Sequence, residues 1–382
     1  MIEFLDEFAF GAVNAAWPSI RRDLNLTYVE IGLLLSVPGV LSNFIEPVFG
    51  ILSDVWNRRA LILGGGIMFG VSIMLAALSQ SFLPMMVSFI LLFPASGAFV
   101  SLSQAALMDY DPKRHEQNMA RWTLAGSLGV VAGPLGLGAV VALGSGWRGV
   151  FLVLAGLAAL FTAAAWRFPF TNNNGHDEEE APLTFIDGLK NAARALRRRD
   201  VARWLILLQF SDLMLDILYS FLALYFVDVV GVSIEEATVA VAVWTGVGLV
   251  GDALLIPLLE RMRGLDYLRL SAGIQMALFP AFLIVEPFGV KLILLGLLGL
   301  LNSGWYAILQ AQLYSALPGQ SGVALAMNNV GGLAGSLIPV IIGAVAQAAG
   351  LDVAIWLLLA GPVALLVGLP RRPADSASRS DL

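Results

Sequence analysis

Cysteine is absent from this chain of 382 residues, and histidine occurs only twice, at positions 115 and 176. A disulfide and a thiolate metal site are therefore excluded, and both histidines lie in polar connectors, where a buried imidazole metal site is not expected. Charged residues are also scarce, at 13% against about 25% in ordinary soluble domains. Since no zinc triad, nucleophile motif or nucleotide-binding domain is present, we expect no enzyme, cofactor or metal.

Long apolar runs are what the chain has in abundance. Hydrophobic residues make up 58% of it, and a helix that crosses a bilayer needs about 20 residues. Runs of this kind, numbered here as spans 1 to 12, cover residues 2–20, 28–53, 60–79, 83–107, 118–144, 147–168, 201–228, 233–259, 267–285, 289–316, 321–349 and 352–370. The sequence thus predicts an all-α membrane protein with twelve transmembrane helices, arranged as six plus six.

One long polar segment separates the two sets of spans. We expect a six-helix bundle at 1–170, a cytoplasmic linker at 171–200, either a surface helix or a solvated connection, and a second bundle with a short tail at 201–382. Only Arg21, Arg22, Arg148 and Lys291 fall on the side opposite the linker. Because basic residues mark the cytoplasmic side, both termini are expected to be cytoplasmic, in an inner or plasma membrane. Only five residues precede Asp6, so a start that omits the outer part of span 1 is compatible with the sequence.

Acidic residues inside the apolar spans occur in pairs that are 206 residues apart. Asp6 and Asp212 form one pair, and Glu46 and Asp252 form another. The same offset relates three further pairs, namely Thr27 with Ser233, Glu30 with Glu236, and Asp54 with Glu260. A carboxylate at mid-bilayer costs about 2.5–3.5 kcal/mol on insertion scales, so each buried acid is a functional-site hypothesis. Internal repeats of this kind are typical of secondary transporters.

The connection between spans 2 and 3 carries a specific motif. It runs Gly50-Ile-Leu-Ser-Asp54-Val-Trp-Asn-Arg58-Arg59. This resembles the cytoplasmic loop signature of the major facilitator superfamily, from which it departs at positions 55 and 57. The resemblance implies two pseudo-symmetric six-helix bundles and a gating role for Gly50, Asp54, Arg58 and Arg59. An ordinary positively charged cytoplasmic loop is the alternative.

Glu46 and Asp252 lie eight residues before Asp54 and Glu260, which places them about 12 Å deeper in the membrane. In the family that the motif resembles, spans 2 and 8 form the seam between the halves. The resemblance therefore implies gating by Glu46, Asp252 and Glu260, although a transport role is equally open for the two deeper acids.

Span 5 carries Gly129, Gly133, Pro134 and Gly138. This arrangement looks like the antiporter signature that the family carries in helix 5, and it implies efflux because members with that signature are mostly exporters. Small residues four apart also allow close helix packing in lipid, and proline kinks a helix. Helix packing alone is therefore the alternative.

Spans 1 and 7, which line the central cavity in this family, carry Asp6, Glu7, Asp212 and Asp216. A desolvated carboxyl without a cationic partner takes up a proton, which is the property that a proton carrier needs. We therefore expect these acids to carry coupling protons or to bind a cation; the alternative is that some solvate helix ends. Phe93 stands where many proton-coupled members have an arginine, which weakens a standard drug–proton assignment, and the absence of a mid-span base argues against an anionic substrate.

Polar and aromatic side chains near the span centres complete the prediction. The cavity candidates are Asn14, Gln104, Gln209, Tyr219, Trp244, Asn302, Trp305, Tyr306, Gln310 and Asn328. The tryptophans at positions 17, 147 and 204 are expected to be interfacial anchors.

The predicted function is proton-coupled export of a small organic, neutral or cationic molecule by alternating access. A proton- or sodium-driven importer of a sugar, peptide or other metabolite is the main alternative, and a non-transporting scaffold or enzyme is a remote one. Apart from substrate, ions and lipid no partner is expected, nucleic acid included, and the protein should be a monomer.

Overall fold

The computed structural model describes residues 1–55, 57–110, 115–168, 197–316 and 331–370. All regular structure in these ranges is helical. In the first half, span 1 is Ile2–Leu24, span 2 is Tyr28–Val55, span 3 is Arg58–Leu78, span 5 is His115–Ala142 and span 6 is Gly146–Trp166. Span 4 consists of Phe82–Ser96, a π-helical segment at Gly97–Ser101, and Leu102–Tyr110.

The second half repeats this pattern with more interruptions. Span 7 contains Arg199–Asp212 and Leu218–Tyr225, each followed by a π-helical segment, at Leu213–Ile217 and Phe226–Val230. Span 8 is Ile234–Leu259, span 9 is Gly264–Ile284, and span 10 is divided into Phe288–Asn302 and Trp305–Ala316. Span 11 includes Ile338–Ala349, and span 12 contains Leu351–Trp356, a short 3-10 turn at Leu357–Leu359, and Ala360–Gly368.

The predicted spans are confirmed by this architecture. Eleven helical stretches in the described ranges are long and apolar enough to cross a membrane. Span 1 has sufficient length, with 23 residues, but it carries acidic residues in its first turns and two arginines in its last. One detail of the prediction is wrong: residues 289–316 do not form a continuous helix, because Gly304 adopts a left-handed φ of 75° between the two parts of span 10. Most of the predicted linker, residues 169–196, lies outside the described ranges.

Two of the repeat pairs are helix caps. The Ser233 hydroxyl accepts a hydrogen bond from the Glu236 backbone N–H, and the Glu236 carboxylate accepts one from the Ser233 N–H. Thr27 and Glu30 make the same two contacts at the start of span 2. These are capping boxes, which satisfy backbone donors at a helix N-terminus. The repeat at these positions therefore preserves how spans 2 and 8 begin, and it has no direct part in the cavity.

The two halves meet firmly on one side of the molecule. We call the side where span 1 begins and span 12 ends the termini side, and the opposite side the far side. On the far side Arg21 forms an ion pair with Asp228 at 2.6 Å, and the Tyr28 hydroxyl donates to the same carboxylate at 2.9 Å. Spans 2 and 11 also touch backbone to backbone, since a Cβ on Gly32 would lie 2.6 Å from the Pro339 carbonyl oxygen. The far side is thus closed.

The tryptophan anchors were predicted wrongly. Trp17 is fully buried, with its ring 5.9 Å from that of Phe89. Trp147 is also buried and donates its indole N–H to Asp23 at 2.8 Å, and Trp204 is buried as well. All three contribute to packing between helices inside the bundles, because the span ends on which they lie are covered by neighbouring spans.

Candidate functional site

A cavity of about 1020 Å³ lies between the two halves. Side chains from spans 1 to 5, 7, 8 and 10 line it. Along span 1 the lining extends from Asn14 to Asp6, and along span 8 from Trp244 to Leu259. In both cases this is the stretch from the middle of the helix toward its end on the termini side. Because the far side is closed, the cavity opens toward the termini side.

Acidic residues of span 1 face this cavity at two positions. Asp6 accepts a hydrogen bond from the Ser96 hydroxyl of span 4 at 2.8 Å, and Glu7 lies beside it. One turn earlier, the Glu3 side chain packs against Gly126 of span 5, since its Oε1 lies 2.8 Å from the position of a Cβ on that glycine. The first two turns of span 1 thus present three carboxyl groups close together.

Span 7 contributes a carboxyl pair at a helical irregularity. Asp216 lies within the π-helical segment Leu213–Ile217 and lines the cavity, and the Asp212 carboxyl is its hydrogen-bonding partner. The Asn302 amide of span 10 donates to the Met214 carbonyl at 2.7 Å and accepts from Gln275 at 2.6 Å. A π-bulge leaves backbone groups outside the regular helical ladder and is frequent at functional sites. Here Asn302 satisfies one such carbonyl beside Asp216.

The acids of spans 2 and 8 lie against the irregular parts of spans 4 and 10. Glu46 accepts a hydrogen bond from Ser42 at 2.6 Å and packs on Gly97, where a Cβ would be 2.8 Å from its Cγ. Asp252 lies beside the Ser303 side chain and the Gly304 backbone, and the Ser303 hydroxyl itself donates to the Gly248 carbonyl at 3.2 Å. Both carboxylates line the cavity.

The charged side chains that line the cavity in the described ranges are all acidic. The ionisable members of the lining include Asp6, Glu7, Glu46, Asp216 and Asp252, and no lysine, arginine or histidine of the described ranges is among the lining residues. The surrounding lining is largely aliphatic and aromatic. Carboxylates in an apolar cavity without basic partners can be neutralised by protons or by a cationic ligand.

The glycines of span 5 pack that helix against span 1. A Cβ on Gly133 would lie 2.5 Å from the Ala12 backbone nitrogen, and one on Gly129 would lie 2.5 Å from the Phe4 carbonyl oxygen. At Gly138 the nearest atom is the Thr238 methyl group, at an ordinary 3.8 Å. Close backbone approach therefore explains the first two glycines and does not explain the third.

Comparison with known proteins decides the family. The model of the Major Facilitator Superfamily matches residues 1–339 of the chain. The chain belongs to the major facilitator superfamily. This confirms the resemblance carried by the loop after span 2, and with it the fold of two pseudo-symmetric six-helix bundles.

Two curated relatives are named for drug resistance or drug efflux. The chain is 34% identical over 155 residues to a chloramphenicol resistance protein of Pseudomonas aeruginosa, covering 40% of this chain and 37% of that protein. It is 28% identical over 156 residues to the drug efflux pump JefA of Mycobacterium tuberculosis, covering 39% and 29%. The matched segments thus span less than two fifths of either relative.

Among solved structures, the nucleoside transporter NupG is similar over nearly the whole chain. The TM-score is 0.78, at 14% sequence identity, with 96% of each chain covered. At this identity the likeness concerns the fold alone. The chain is therefore a multi-span member of the superfamily that shares this fold.

The predicted cavity residues separate into three groups in the structure. Five lie in the lining: Asn14, Tyr219, Trp244, Asn302 and Tyr306. Four others do not: Gln104, Gln209, Trp305 and Gln310. Trp305 is buried and donates to Ser271 at 2.9 Å, and Gln209 packs against Gly331 and Gly335 of span 11. Asn328 lies outside the described ranges.

Three of the four proton-coupling candidates line the cavity, and one does not. Asp6, Glu7 and Asp216 line the cavity, whereas Asp212 lies outside the lining as the partner of Asp216. Sequence reasoning missed Glu3 and Ser96. The spacing of Glu3 and Glu7, one helical turn apart, could have indicated the first, but nothing in the sequence links Ser96 to Asp6.

The loop after span 2 is described only in part. The surroundings of Gly50 and the side chain of Asp54 lie outside the described part of the structure. The Arg59 guanidinium donates to the Trp166 carbonyl at the end of span 6, and Glu260 directly follows span 8. The gating role of these residues stays a prediction.

Proposed function

We propose that this transporter exports a small organic cation or neutral molecule in exchange for protons. The proposal rests on the acidic character of the cavity: carboxyl groups from both halves face a largely apolar space, and no basic side chain of the described residues lines it. Since like charges in an apolar cavity repel one another, either protons or a cation relieve the repulsion. Competition of the two for the same carboxyls would produce exchange.

The direction of transport rests on two further observations. The partial relatives are, by name, a chloramphenicol resistance protein and a drug efflux pump. The placement of basic residues favours a cytoplasmic termini side, so that the cavity would open to the cytoplasm in this conformation. We propose that residues 1–170 and 201–382 then rock against each other around the cavity, as alternating access requires.

Proteoliposomes of defined orientation provide the test. Tetraphenylphosphonium serves as a cationic probe and chloramphenicol as a neutral one, with a pH gradient imposed across the membrane. We expect the probe to move against the proton flow, and we expect Asp216→Asn to abolish gradient-driven movement while leaving Tm unchanged. Asp200→Asn is the matched control, because Asp200 lies on the same span but is solvent-exposed and paired with Arg198.

Two outcomes would contradict the proposal. Probe and protons moving in the same direction would identify a symporter instead. Full gradient-driven exchange by the double variant Asp212→Asn/Asp216→Asn would show that the carboxyl pair does not carry the coupling.

A further inference from the structure

Two side chains of the cavity lining are buried and have no hydrogen-bond partner in the described part of the chain. Asn14 is 1% exposed and Tyr219 is 4% exposed. Neither polar atom of the Asn14 amide, nor the Tyr219 hydroxyl, has a partner among the described residues. Leaving a buried polar group unpaired costs about 1–3 kcal/mol. Buried polar groups in native proteins are generally satisfied, so that exceptions call for an explanation such as a ligand.

Asn14 and Tyr219 belong to the same contact between span 1 and span 7. The Tyr219 hydroxyl lies 3.3 Å from the position of a Cβ on Gly11, and the ring centroids of Tyr219 and Phe10 are 5.6 Å apart. Asn14 follows these two residues by three and four positions, the spacing of neighbours on one helix face. Both residues line the same cavity, one from each half, and Asn14 lies one helical turn from the place where Tyr219 contacts span 1.

This region lies deeper than the carboxyl groups. Asn14 is seven residues beyond Glu7 along span 1, which corresponds to about 10 Å toward the far side. Tyr219 is three residues beyond Asp216 along span 7, which corresponds to about 5 Å toward the far side. A ligand that enters from the termini side passes the acids first and reaches the amide and the phenol at the inner end.

We infer that Asn14 and Tyr219 form a neutral hydrogen-bonding subsite for an uncharged polar group of the substrate, such as an amide, carbonyl or hydroxyl. An asparagine amide both donates and accepts, and a phenol does the same, so the pair fits a group with both functions. The inference rests on the proposed function only in using the same cavity. It adds that the substrate carries a polar, uncharged group on an apolar body; a cation without hydrogen-bonding groups would bind in the cavity without using this subsite.

Binding to the purified protein tests the subsite independently of transport. Chloramphenicol, which is uncharged and carries an amide and two hydroxyl groups, is compared with tetraphenylphosphonium, which has no hydrogen-bonding group. We expect Asn14→Leu and Tyr219→Phe each to weaken chloramphenicol binding about tenfold, the scale of one hydrogen bond at the upper end of its usual range. Tetraphenylphosphonium affinity should be unchanged in both variants.

Thermal unfolding without ligand supplies the second readout. Because the two groups make no hydrogen bond to any residue that the structure describes, both variants should unfold at or above the wild-type Tm. Ser88→Ala is the control: its buried hydroxyl donates to the Ser72 carbonyl at 2.9 Å and lies outside the cavity lining. This variant should lower Tm and leave the affinities for both probes as they are.

Three results would overturn the inference. One is unchanged chloramphenicol affinity in both variants, and another is a wild-type protein that does not bind chloramphenicol saturably. The third is a clear loss of Tm in both variants, which would show that the groups are satisfied within the fold, for example by bound water. A wild-type protein that binds chloramphenicol through these residues but does not exchange it for protons would refute the proposed function and leave the subsite intact.

Discussion

Replacing Gly133 by alanine tests how spans 1 and 5 are held together. The new Cβ would lie 2.5 Å from the Ala12 nitrogen and 2.5 Å from the Gly11 carbonyl carbon, where ordinary contacts begin near 3.4 Å. Both neighbours are backbone atoms, which cannot turn away as a flexible side chain can. Spans 1 and 5 must therefore move apart. Because Asp6 and Glu7 lie on span 1, this movement also displaces two acids of the cavity lining.

The cost follows from two opposing terms. Overpacking of a dense interior costs about 1–3 kcal/mol, and the upper end applies here because the contact is backbone against backbone. Alanine recovers up to about 1 kcal/mol through its higher helix propensity. The net destabilisation by Gly133→Ala is thus about 2 kcal/mol, which should lower Tm in detergent by several degrees.

Gly138 is the matched control within the same helix. Its added Cβ would meet only the Thr238 methyl group at 3.8 Å, so that Gly138→Ala should leave Tm unchanged or raise it slightly. Intrinsic tryptophan fluorescence during heating measures both variants. Equal Tm values for the two, or a larger loss at Gly138, would refute the packing argument.

Two further predictions concern contacts outside span 5. Asp228→Asn removes the ion pair to Arg21 and weakens the contact to Tyr28, so that the far side should open more often. A cysteine introduced at Leu35 in this cysteine-free chain should then react several-fold faster with an impermeant thiol reagent added on the far side. An unchanged rate would contradict a role of the Arg21–Asp228 ion pair in closing that side. Asn302→Leu removes the amide that satisfies the π-helical segment of span 7, and it should shift the pH profile of exchange while probe affinity stays within about twofold. A profile identical to that of the wild type would exclude a positioning role.

The sequence carried most of the fold and part of the site. Twelve spans are visible because each needs about 20 apolar residues to satisfy its backbone within lipid, a constraint that composition expresses directly. The acidic residues of the spans could be predicted as functional for a related reason, because a charged residue within an apolar run stands out in the sequence. Asp6, Glu46 and Asp252, which the sequence singles out as acids within apolar spans, all line the cavity.

What could not be predicted depends on contacts between helices. The hydrogen bond from Ser96 to Asp6 and the placement of Asp212 behind Asp216 are set by how spans rotate against their neighbours. The capping boxes show the converse, because the pair of Thr27 and Glu30 is repeated for a local backbone reason. A sequence repeat thus shows which residues the two halves share. It does not show whether a shared residue caps a helix or lines the cavity.

The two acids at the seam show what the internal repeat preserves in three dimensions. Glu46 and Asp252 are 206 residues apart, and so are Gly97 and Ser303, the residues against which they lie. In both halves this neighbour begins a departure from regular helix, a π-helical segment in span 4 and the break of span 10 at Gly304. Irregular backbone at membrane depth is tolerated where it is buried or lines a cavity, and here a carboxylate from the adjacent span contacts it. The contact is repeated in both halves although the two helical irregularities differ. What the repeat preserves is therefore the contact between an acidic side chain and an irregular part of the neighbouring helix. The seam acids Glu46 and Asp252 are thereby tied to the bending of spans 4 and 10, and we propose on this ground that they serve gating.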